Sequence, residues 1–589
     1  MQYHWNIHNK APDSFYTEFP ELPKAVADLL YNRQRTTQAL IDEFLSPDYS
    51  THIHDPFLFV DMEKAVARLL LAIEKQEKIT IHGDYDADGV SASTVLTDTL
   101  RALGATQVDV YLPHRETDGY GLNLKTIDYL AAQKTQVIIT CDCGISNTGE
   151  VAKANEYGID VIITDHHSIP AVLPEAYAII HPKLERERYP DKNLAGGGVA
   201  FKLAQALLKT HAKTHETLPT GEKHDTFEKW LLDMVAIATV ADMVPLIGES
   251  RTLTKYGLLV LNKTRRIGLQ KLYLETKLMH NDGSMDKEID EQTIGFRIAP
   301  QINAAGRLDH ANTAYMLMVA DNGAAAIDLA YKLRLQNDER RDLTEQYVKD
   351  AILQVEQHQT NSPILFVLSE KWTTGIVGLI ASRIKEKYQK PTIAMAYKKG
   401  ELTGSGRSIK GFNMIGAMQE IPEFFSKFGG HPMACGFSLQ KNDLLSAFQE
   451  ALIARYHHHT ADKDMSPTLD IDAELSLGDI DWKLFDVLNK FKPFGPENPR
   501  PRYVIKGLTV HAIESMGKEK NHMKLMVTDA SRSIKKTVGW DLCNTDPETP
   551  NWCTLLKPGD SIDIVCEIDV NEWNGNRELQ LLIIDLIRH

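Results

Sequence analysis

The sequence predicts an α/β protein of several domains, in which a mostly parallel sheet carries acidic residues and histidines along one edge. Three observations lead to this prediction. The chain has 589 residues, more than a single hydrophobic core usually organises. Between residues 79 and 182, β-type and helix-type segments alternate, which is typical of a parallel sheet covered by helices. The apolar strand segments end repeatedly in aspartate or histidine.

The composition restricts the class of protein. The formal net charge of −15 argues against a protein that coats nucleic acid by bulk charge, although it leaves room for a local basic groove. We expect a cytoplasmic protein. No apolar run is long enough for a membrane span, and the N-terminus lacks a signal-peptide pattern. The six cysteines contain no CxxC pair and do not suggest a disulfide framework.

The pattern of segments divides the chain into five regions. We expect a large α/β region, a helical region that ends in a long charged connector, a second α/β region and a small barrel of short strands. A segment without recognisable motifs, an arm or cap, precedes them. In chain order the regions are the arm at 1–54, the first α/β region at 55–250, the helical region at 251–358, the second α/β region at 359–460 and an OB-type barrel at 461–589.

The stretch ITIHGDYDADGVS, at residues 79–91, is the most informative part of the sequence. After an apolar strand it places His82, Asp84, Asp86 and Asp88 at every second position. Carboxylates this close repel one another, and a divalent cation relieves the repulsion. Oxygen ligands with one imidazole suit Mn²⁺ or Mg²⁺. The alternative is a solvated acidic turn.

Other strands deliver similar side chains. Asp142 follows one VIIT run, and His166 and His167 follow another. The carboxyl ends of parallel strands share one edge of the sheet, so we expect these residues to meet the first cluster. Asp242 interrupts the apolar segment MVAIATVADMVPL, which is costly unless the carboxylate is paired or binds metal. Alternatively, it caps a helix end before Pro245.

These motifs together resemble a known superfamily. HGDYDADG, TCDCG, TDHH and VADMVP resemble the four motifs of the DHH phosphoesterases, and GSGRS with FGGHPMACGF resembles their associated DHHA1 domain. NAAGRLDHA, the PHR at 113–115 and the barrel are similar to the RecJ family of single-strand-specific 5′-to-3′ DNA exonucleases. The resemblance extends over residues 55–589. It implies a DHH domain, a connector, a DHHA1 domain and an OB-type domain.

The resemblance also implies roles for individual residues at a site with two divalent ions. One ion would be held by His82, Asp86 and Asp142, and the other by Asp88, Asp142, His166 and Asp242, so that Asp142 bridges them. Asp84 would bind directly or support a ligand. His167 would orient a ligand or protonate the leaving oxygen, and His431 would face the scissile phosphate from across the cleft.

Recognition of a chain end needs cationic and small polar groups. In the family, groups of the second domain hold the terminal 5′ phosphate, and the matching residues here are Ser405, Arg407 and Ser408. Arginine presents a bidentate fork to phosphate, so Arg115 and Arg307 are further candidates, with Asn303 in the same motif as Arg307. For Arg115 a surface ion pair is the alternative.

In the barrel, aromatic and basic residues suggest contacts with single-stranded nucleic acid by stacking and by phosphate binding. They are Trp540, Trp573, Lys518, Lys520, Lys524, Lys535 and Lys536. Core aromatics and solvated turns explain the same residues equally well.

The predicted function is therefore two-metal hydrolysis of single-stranded DNA from its 5′ end to mononucleotides. The resemblance implies a role in DNA recombination and repair, with a helicase and a single-strand-binding protein as partners. Two alternatives stay open. A phosphodiesterase of short oligonucleotides or cyclic dinucleotides, or a pyrophosphatase, would lack the barrel, and a non-catalytic DNA-binding scaffold would lack the metal ligands.

Overall fold

A computed structural model describes residues 3–359, 361–398, 400–530, 533–544, 550–573 and 575–589. The chain forms two compact units. The first unit combines residues 1–53, 243–255 and 466–589, and the second combines 54–242 and 256–465. This division differs from the five regions expected from sequence, because the N-terminal segment belongs with the C-terminal barrel.

The N-terminal segment of the first unit contains one strand and three helices. They are β1 (His4–Ile7), α1 (Asp13–Glu18), α2 (Lys24–Asn32) and α3 (Gln38–Leu45). The first unit's core joins apolar side chains of these helices, such as Phe15 and Leu29, to those of the barrel. The segment is therefore an integral part of that core.

The second unit begins with the predicted parallel sheet and its helices. In chain order these are α4 (Met62–Glu74), β2 (Ile79–His82), α5 (Ala87–Ala102), β3 (Val108–Tyr111), α6 (Leu124–Ala132), β4 (Val137–Cys141), α7 (Thr148–Glu156), β5 (Asp160–Thr164), β6 (Ala178–Ile180), α8 (Gly196–His211), α9 (His224–Trp230) and α10 (Leu232–Ala241). The strand order is β3-β2-β4-β5-β6, and every pairing is parallel. Strands β2 and β4 are buried along their whole length, as their uninterrupted apolar runs indicate.

Helices follow, including the long connector expected from sequence. They are α11 (Gly248–Leu261), α12 (Ile267–Glu275), α13 (Glu291–Thr293), the π-helix Ile294–Ile298, α14 (Ala299–Leu308), α15 (Asn312–Met318) and α16 (Gly323–His358). Asn322 caps α16 by accepting a hydrogen bond from Ala325 N–H.

A second, mixed sheet completes the second unit. Its elements are β7 (Leu365–Leu368), α17 (Val377–Tyr388), β8 (Thr392–Lys398), β9 (Glu401–Arg407), α18 (Met414–Gln419), β10 (Phe425–His431), β11 (Ala434–Leu439) and α19 (Leu445–Thr460). The strand order is β10-β11-β9-β8-β7, in which β7 and β8 are parallel and the other neighbours antiparallel.

The C-terminal region confirms the predicted barrel. Its elements are β12 (Thr468–Ile471), β13 (Ala473–Glu474), α20 (Trp482–Asn489), β14 (Tyr503–Met516), β15 (His522–Thr528), β16 (Ile534–Gly539), α21 (Trp552–Leu555), β17 (Ser561–Trp573) and β18 (Asn576–Arg588). Strands β14, β15, β16, β18 and β17 pair in that order, and β17 pairs again with β14, which closes the barrel. Strand β12 pairs in parallel with β1.

Arg251, near the start of α11, forms hydrogen bonds to both the N-terminal and the C-terminal segments of the first unit. Its side chain is buried and lies over the ring of Phe44, 4.2 Å from the ring centre. The guanidinium donates hydrogen bonds to the backbone carbonyls of Phe44, Lys490, Lys492 and Pro493 at 2.9–3.1 Å. One residue thus satisfies carbonyl groups from two separate stretches of chain.

Two further findings bear on the sequence-based expectations. Cys543 and Cys553 are disulfide-bonded, although the cysteine pattern did not suggest any pairing, and the other four cysteines are free and buried. Among the described residues, none of the helices combines the length and apolar character that a membrane crossing requires.

Candidate metal centre and phosphate pocket

The acidic motif after β2 spans a strand end, a loop and the start of a helix. His82 is the last residue of β2, and Asp86 is the N-cap of α5. One oxygen of Asp86 accepts hydrogen bonds from Asp88 N–H at 2.9 Å and Gly89 N–H at 3.1 Å. The cap fixes the direction in which α5 leaves the sheet, and with it the position of Asp88.

Asp88 is held by the N-terminus of another helix, α8. Gly196 N–H and Gly197 N–H donate to its two carboxylate oxygens at 2.8 Å and 2.6 Å. A Cβ atom on Gly196 would lie 2.5 Å from Cβ of Asp142, and one on Gly197 would lie 2.5 Å from Cβ of Ala238. The glycines therefore allow α8 to approach the acidic residues closely, while its first N–H groups neutralise part of their charge.

Asp142 occupies the centre of the site. It follows β4 with a φ of +61°, a left-handed conformation that is uncommon for residues other than glycine. Its Oδ1 lies 3.1 Å from Nε2 of His166, and the same nitrogen lies 3.6 Å from Asp242 Oδ2 and 3.7 Å from Asp88 Oδ2. Strand ends and helices distant in sequence thus bring four predicted ligands together, as the shared sheet edge requires.

Three sets of side chains have ligand atoms within 4.8 Å of one another. They are Asp84 with Asp86 and Asp142, Asp88 with His166 and Asp242, and Asp142 with His166 and His167. Asp142 belongs to two of the sets. The first two sets share no residue and differ in chemistry, since one is all carboxylate and the other includes an imidazole.

The carboxylates of these sets oppose one another's ionisation. Burial and the charge of Asp86 raise the pKa of Asp84 to about 8 and that of Asp242 to about 7. Burial and the neighbouring carboxylates also raise the pKa values of Asp88 and Asp142 well above their usual range. Bound divalent cations reverse this effect because each supplies the positive charge that the cluster lacks.

Two buried polar atoms support the fit of a cation. Nε2 of His82 and Oδ1 of Asp84 form no hydrogen bond to any residue that the structure describes. Burial lowers the pKa of His82 to about 4, which keeps its imidazole neutral, the form that binds metal. His82 belongs to none of the three sets, so the structure places Asp84, rather than His82, beside Asp86 and Asp142.

His167 is oriented by Asp165, a residue of the TDHH motif without an assigned role in the sequence analysis. Nδ1 of His167 lies 2.8 Å from Asp165 Oδ1, which also accepts from the N–H groups of His166 and His167, while Asp165 Oδ2 accepts from Ile145 N–H. Burial lowers the pKa of His167, but its hydrogen bond to Asp165 and the nearby carboxylates outweigh burial and raise it to about 9.

Tyr120 is a second contributor that no motif indicated. Its hydroxyl donates to the backbone carbonyl of Asp142 at 3.0 Å and lies 3.0 Å from Nδ1 of His167. The side chain is 47% exposed, so part of it remains accessible beside the site.

Three predicted arginines gather near this cluster. Arg115 lies over the ring of Tyr85, 4.0 Å from its centre, and donates to Gly306 O. Arg307 donates to Gly375 O at 2.8 Å. Burial, together with the charges of Arg115, Arg340 and Arg407, lowers the pKa of Arg307 to about 9, so these cations lie within range of one another's charge. Such a cluster favours a bound anion.

Arg407 and Ser405 lie at the N-terminal end of α17. Arg407 donates to Ser405 Oγ at 2.9 Å and to Ser382 Oγ at 3.2 Å. A Cβ atom on Gly378 would lie 3.0 Å from Arg407 Nη2 and 3.2 Å from Ser405 Oγ. The first turn of α17 therefore adjoins the guanidinium, and its N–H groups and positive helix end favour phosphate. Gly378 was not among the predicted site residues.

The remaining predicted residues take different positions. Ser408 is buried and donates to Phe412 O, and Asn303 accepts a hydrogen bond from Ala87 N–H at 2.7 Å, at the start of α5. His431 ends β10 and is exposed to solvent on part of its surface. Partial desolvation and the charges of His167 and Lys183 lower its pKa, so it lies within range of those charges.

In the barrel, part of the predicted nucleic-acid surface is already paired. Trp540 is 54% exposed, but Lys536 lies 2.8 Å from Glu578 and Lys535 donates to Ile480 O. The side chain of Trp573 lies outside the described residues.

Comparison with known proteins gives concordant matches along the chain. The models of the DHH family N-terminal domain, the DHHA1 domain and the RecJ OB domain match residues 78–239, 361–457 and 471–585. The single-stranded-DNA-specific exonuclease RecJ of Bacillus subtilis is 35% identical over 585 residues, which cover 99% of this chain and 70% of that protein. RecJ of Escherichia coli is 32% identical, with 89% of each chain covered.

Solved structures give the same result. RecJ from Thermus thermophilus in complex with Mn²⁺ superposes with a TM-score of 0.81 at 25% identity, covering 99% of this chain and 79% of that one. A structure of exonuclease RecJ bound to manganese has a TM-score of 0.57 at 29% identity and covers 69% of this chain and 98% of that one.

Proposed function

The chain belongs to the RecJ family of single-stranded-DNA-specific exonucleases, and we propose that it hydrolyses single-stranded DNA from the 5′ end to mononucleotides. It is a metal-dependent nuclease. The observation that carries the proposal is the presence of two ligand sets that share no residue. One set contains Asp142 and the other contains His166. The arginines that flank the same cluster supply the means of holding a terminal phosphate.

We assign one divalent ion, Mn²⁺ or Mg²⁺, to Asp84, Asp86 and Asp142, and a second to Asp88, His166 and Asp242. The geometry favours direct binding by Asp84, whose Oδ1 lacks a hydrogen bond among the described residues. His82 presents a neutral imidazole from the same strand end, with an Nε2 that has no partner among the residues described, so we assign it to the first ion as an additional ligand. When bound, two such ions activate a water and neutralise charge on the phosphate that is cleaved.

The surrounding side chains hold these ligands and handle protons. Asp165 fixes the His167 ring through the 2.8 Å hydrogen bond to Nδ1 and favours the protonated imidazolium. The second ring nitrogen, Nε2, lies 3.3 Å from the Tyr120 hydroxyl and carries the proton that His167 donates to the phosphate or to the departing oxygen. His431, exposed at the end of β10, approaches the scissile phosphate from the second domain.

For the terminal 5′ phosphate we propose a pocket of Ser405, Arg407, Arg307 and the first turn of α17. Arg115 guides the neighbouring phosphate. Asn303 supports the site by fixing the start of α5. We leave Ser408 out of the contacts because its hydroxyl is buried in the turn after β9.

Single-stranded DNA is the substrate class of the family, and the barrel supplies a second surface for it. From the family we further propose a cytoplasmic role in recombination and repair, with a helicase and a single-strand-binding protein as partners.

The decisive test uses a long single strand of DNA labelled at either its 5′ or its 3′ end. With Mn²⁺, we expect immediate release of a labelled mononucleotide from the 5′-labelled strand alone, and no release after addition of EDTA. Release from the 3′ end would contradict the polarity. Inertness on long strands with turnover of dinucleotides would instead identify a small-substrate phosphodiesterase. The Asp142→Asn variant controls for contaminating nucleases.

A further inference from the structure

The second unit contains a large cavity apart from the acidic cluster. Its volume is about 1000 Å³. The C-terminal end of α12, the π-helix Ile294–Ile298, and helices α14, α16 and α17 form its walls. None of the predicted metal ligands or terminal-phosphate residues lines it.

The lining is strongly basic in a chain whose net charge is negative. The basic residues are Lys277, Arg297, Arg334, Arg340, Arg341, Lys349 and Arg383, and the acidic ones are Glu275, Asp338 and Glu345. Glu275 and Asp338 both pair with Arg334, each at 2.9 Å. Arg383 lies 3.8 Å from Glu386. Among the described residues, Lys277, Arg341 and Lys349 form no ion pair, so the lining keeps an excess of positive charge, which favours an anionic ligand.

An aromatic side chain stands beside these cations. Phe296 is 81% exposed and lies on the π-helix, next to Arg297. A single exposed apolar side chain needs no explanation on its own. A π-helix, however, is rare and occurs frequently at functional sites, and an exposed ring beside guanidinium groups can stack on a base while the guanidinium groups bind its phosphate.

Gln301, on α14, provides a third and independent observation. The residue is 7% exposed and lines the cavity, and its Oε1 forms no hydrogen bond to any described residue. A buried acceptor without a partner costs free energy, so it indicates a missing donor. The exocyclic amine of adenine or cytosine is such a donor.

The walls of the cavity continue into the phosphate pocket. Helix α14 carries both Gln301 and Arg307, and α17 carries both Arg383 and Gly378. Arg340 lines the cavity and lies close enough to Arg307 to affect its ionisation. The helices that carry residues of the terminal-phosphate pocket therefore also line the cavity.

We propose that this cavity binds a nucleoside 5′-monophosphate, with its phosphate on Arg340 and Arg341, its base on Phe296 and the exocyclic amine on Gln301. The ligand is the product class of the proposed exonuclease reaction, so its biological meaning rests on the proposed function. The binding itself does not, because it requires neither the acidic cluster nor a divalent ion.

Equilibrium dialysis of radiolabelled 5′-dAMP in EDTA tests the proposal. The measurement uses the full-length Arg407→Ala variant, which weakens binding at the terminal-phosphate pocket. We expect one saturable site, and binding at least about fivefold weaker when Phe296→Ala and Arg341→Ala are added, since the base loses its stacking partner and the phosphate loses a cation. Both side chains are exposed, so folding should be preserved. The matched control adds Lys153→Ala and Tyr157→Ala, an exposed aromatic residue and a nearby cation on α7.

Several results would overturn the proposal. They are the absence of saturable binding, equal binding by the Phe296/Arg341 variant and its control, or competition by inorganic phosphate as effective as that by 5′-dAMP. Competition by a 5′-phosphorylated oligonucleotide alone would identify a path for DNA instead. The Gln301→Leu variant should lose the preference for 5′-dAMP over 5′-dTMP. Hydrolysis of labelled single strands by the Phe296→Ala/Arg341→Ala protein, measured separately, tests the proposed function without bearing on this site.

Discussion

Nδ1 of His167 lies 2.8 Å from Oδ1 of Asp165, and three backbone N–H groups donate to the same carboxylate. Burial raises the pKa of Asp165, but these hydrogen bonds and the charge of His167 outweigh it and hold that pKa below its usual range. Asp165 therefore remains ionised where the neighbouring aspartates resist ionisation. It acts as the fixed negative partner that orients the imidazole beside the ligand sets.

Asp165→Asn should reduce the rate of DNA hydrolysis about 10- to 100-fold, because the amide keeps the shape of the side chain but loses the charge that orients His167. Initial rates with Mn²⁺ on a labelled single strand measure the effect. The exposed Asp225→Asn change serves as the control and should leave the rate unchanged. The double variant Asp165→Asn/His167→Ala should lose no more activity than His167→Ala alone. If its fold-loss in rate equals the product of the two single losses, the two residues do not act as a unit.

Asp142→Asn should lower activity by more than about 100-fold, because it removes a carboxylate shared by two ligand sets. Asparagine tolerates the positive φ at this position, so the backbone should be retained. Without metal, the variant should be more stable than the parent by about 1 kcal/mol or more, since a buried like charge is gone.

Thermal unfolding in EDTA and with Mn²⁺ separates these effects. The parent protein should gain more stability from Mn²⁺ than Asp142→Asn does. An equal gain in both proteins would mean that Asp142 binds no ion.

Arg407→Ala should reduce the preference for a 5′-phosphorylated end about 10- to 100-fold, the contribution of a charge-assisted hydrogen bond. The measurement compares kcat/KM on strands that differ only in the 5′ phosphate. Arg455→Ala removes an exposed arginine of the same domain and should not change the ratio. Equal losses on both strands would assign Arg407 to general binding.

Gly196→Ala should impair both activity and metal binding, because the new methyl group would lie 2.5 Å from Cβ of Asp142. Gly198→Ala is the matched control in the same helix. There the nearest atom would be a side-chain carbon of Leu194 at 3.3 Å, which can shift, and alanine favours the helix. Equal activity of the two variants would show that α8 does not need its close approach to the cluster.

The partly buried amine of Lys255 leads to a prediction about how the stability of the protein depends on pH. Burial lowers its pKa to about 8, with smaller contributions from Arg251 and Lys490, whereas an unfolded lysine titrates near pH 10.4. Between those values the unfolded chain binds more protons than the folded one, so this residue's contribution to stability rises with pH across that window. Lys255→Met should remove the rise.

The measurement is the difference in thermal midpoint between parent and variant at pH 7.5, 9 and 10. Other titrating groups are common to both proteins, so they cancel in the difference. A constant difference across these pH values would contradict the prediction.

Much of the fold was accessible from sequence because the signals are local. Continuous apolar runs such as Val137–Thr140 identify buried parallel strands, and their carboxyl ends fix the edge where the ligands gather. The assignment of individual ligands stays a prediction. The spacing of Asp86 and Asp88 resembles a strand period, whereas the structure makes one an N-cap and places the other in α5.

The features of the site and the fold that the sequence did not predict depend on contacts between residues far apart in sequence. The partners of Asp88 are N–H groups 108 and 109 residues away, and a motif does not show this. Nor does a motif show which way a hydroxyl points, as Ser408 illustrates by donating to Phe412 O. The N-terminal segment lacked any signal because its strand finds its partner in β12, across the whole second unit in sequence.

That pairing of β1 with β12 has a consequence for synthesis of the chain on the ribosome. His4 pairs with Thr468, so β1 cannot join its partner strand until the much later β12 has been translated. Its apolar helices have no complete core until the barrel strands have been translated. Residues 54–242, in contrast, contain all five strands of the first sheet in one continuous stretch. Each of these strands can pair with its neighbours as soon as this stretch has been translated. The first sheet can therefore form during translation before the core shared by residues 1–53 and the barrel is complete.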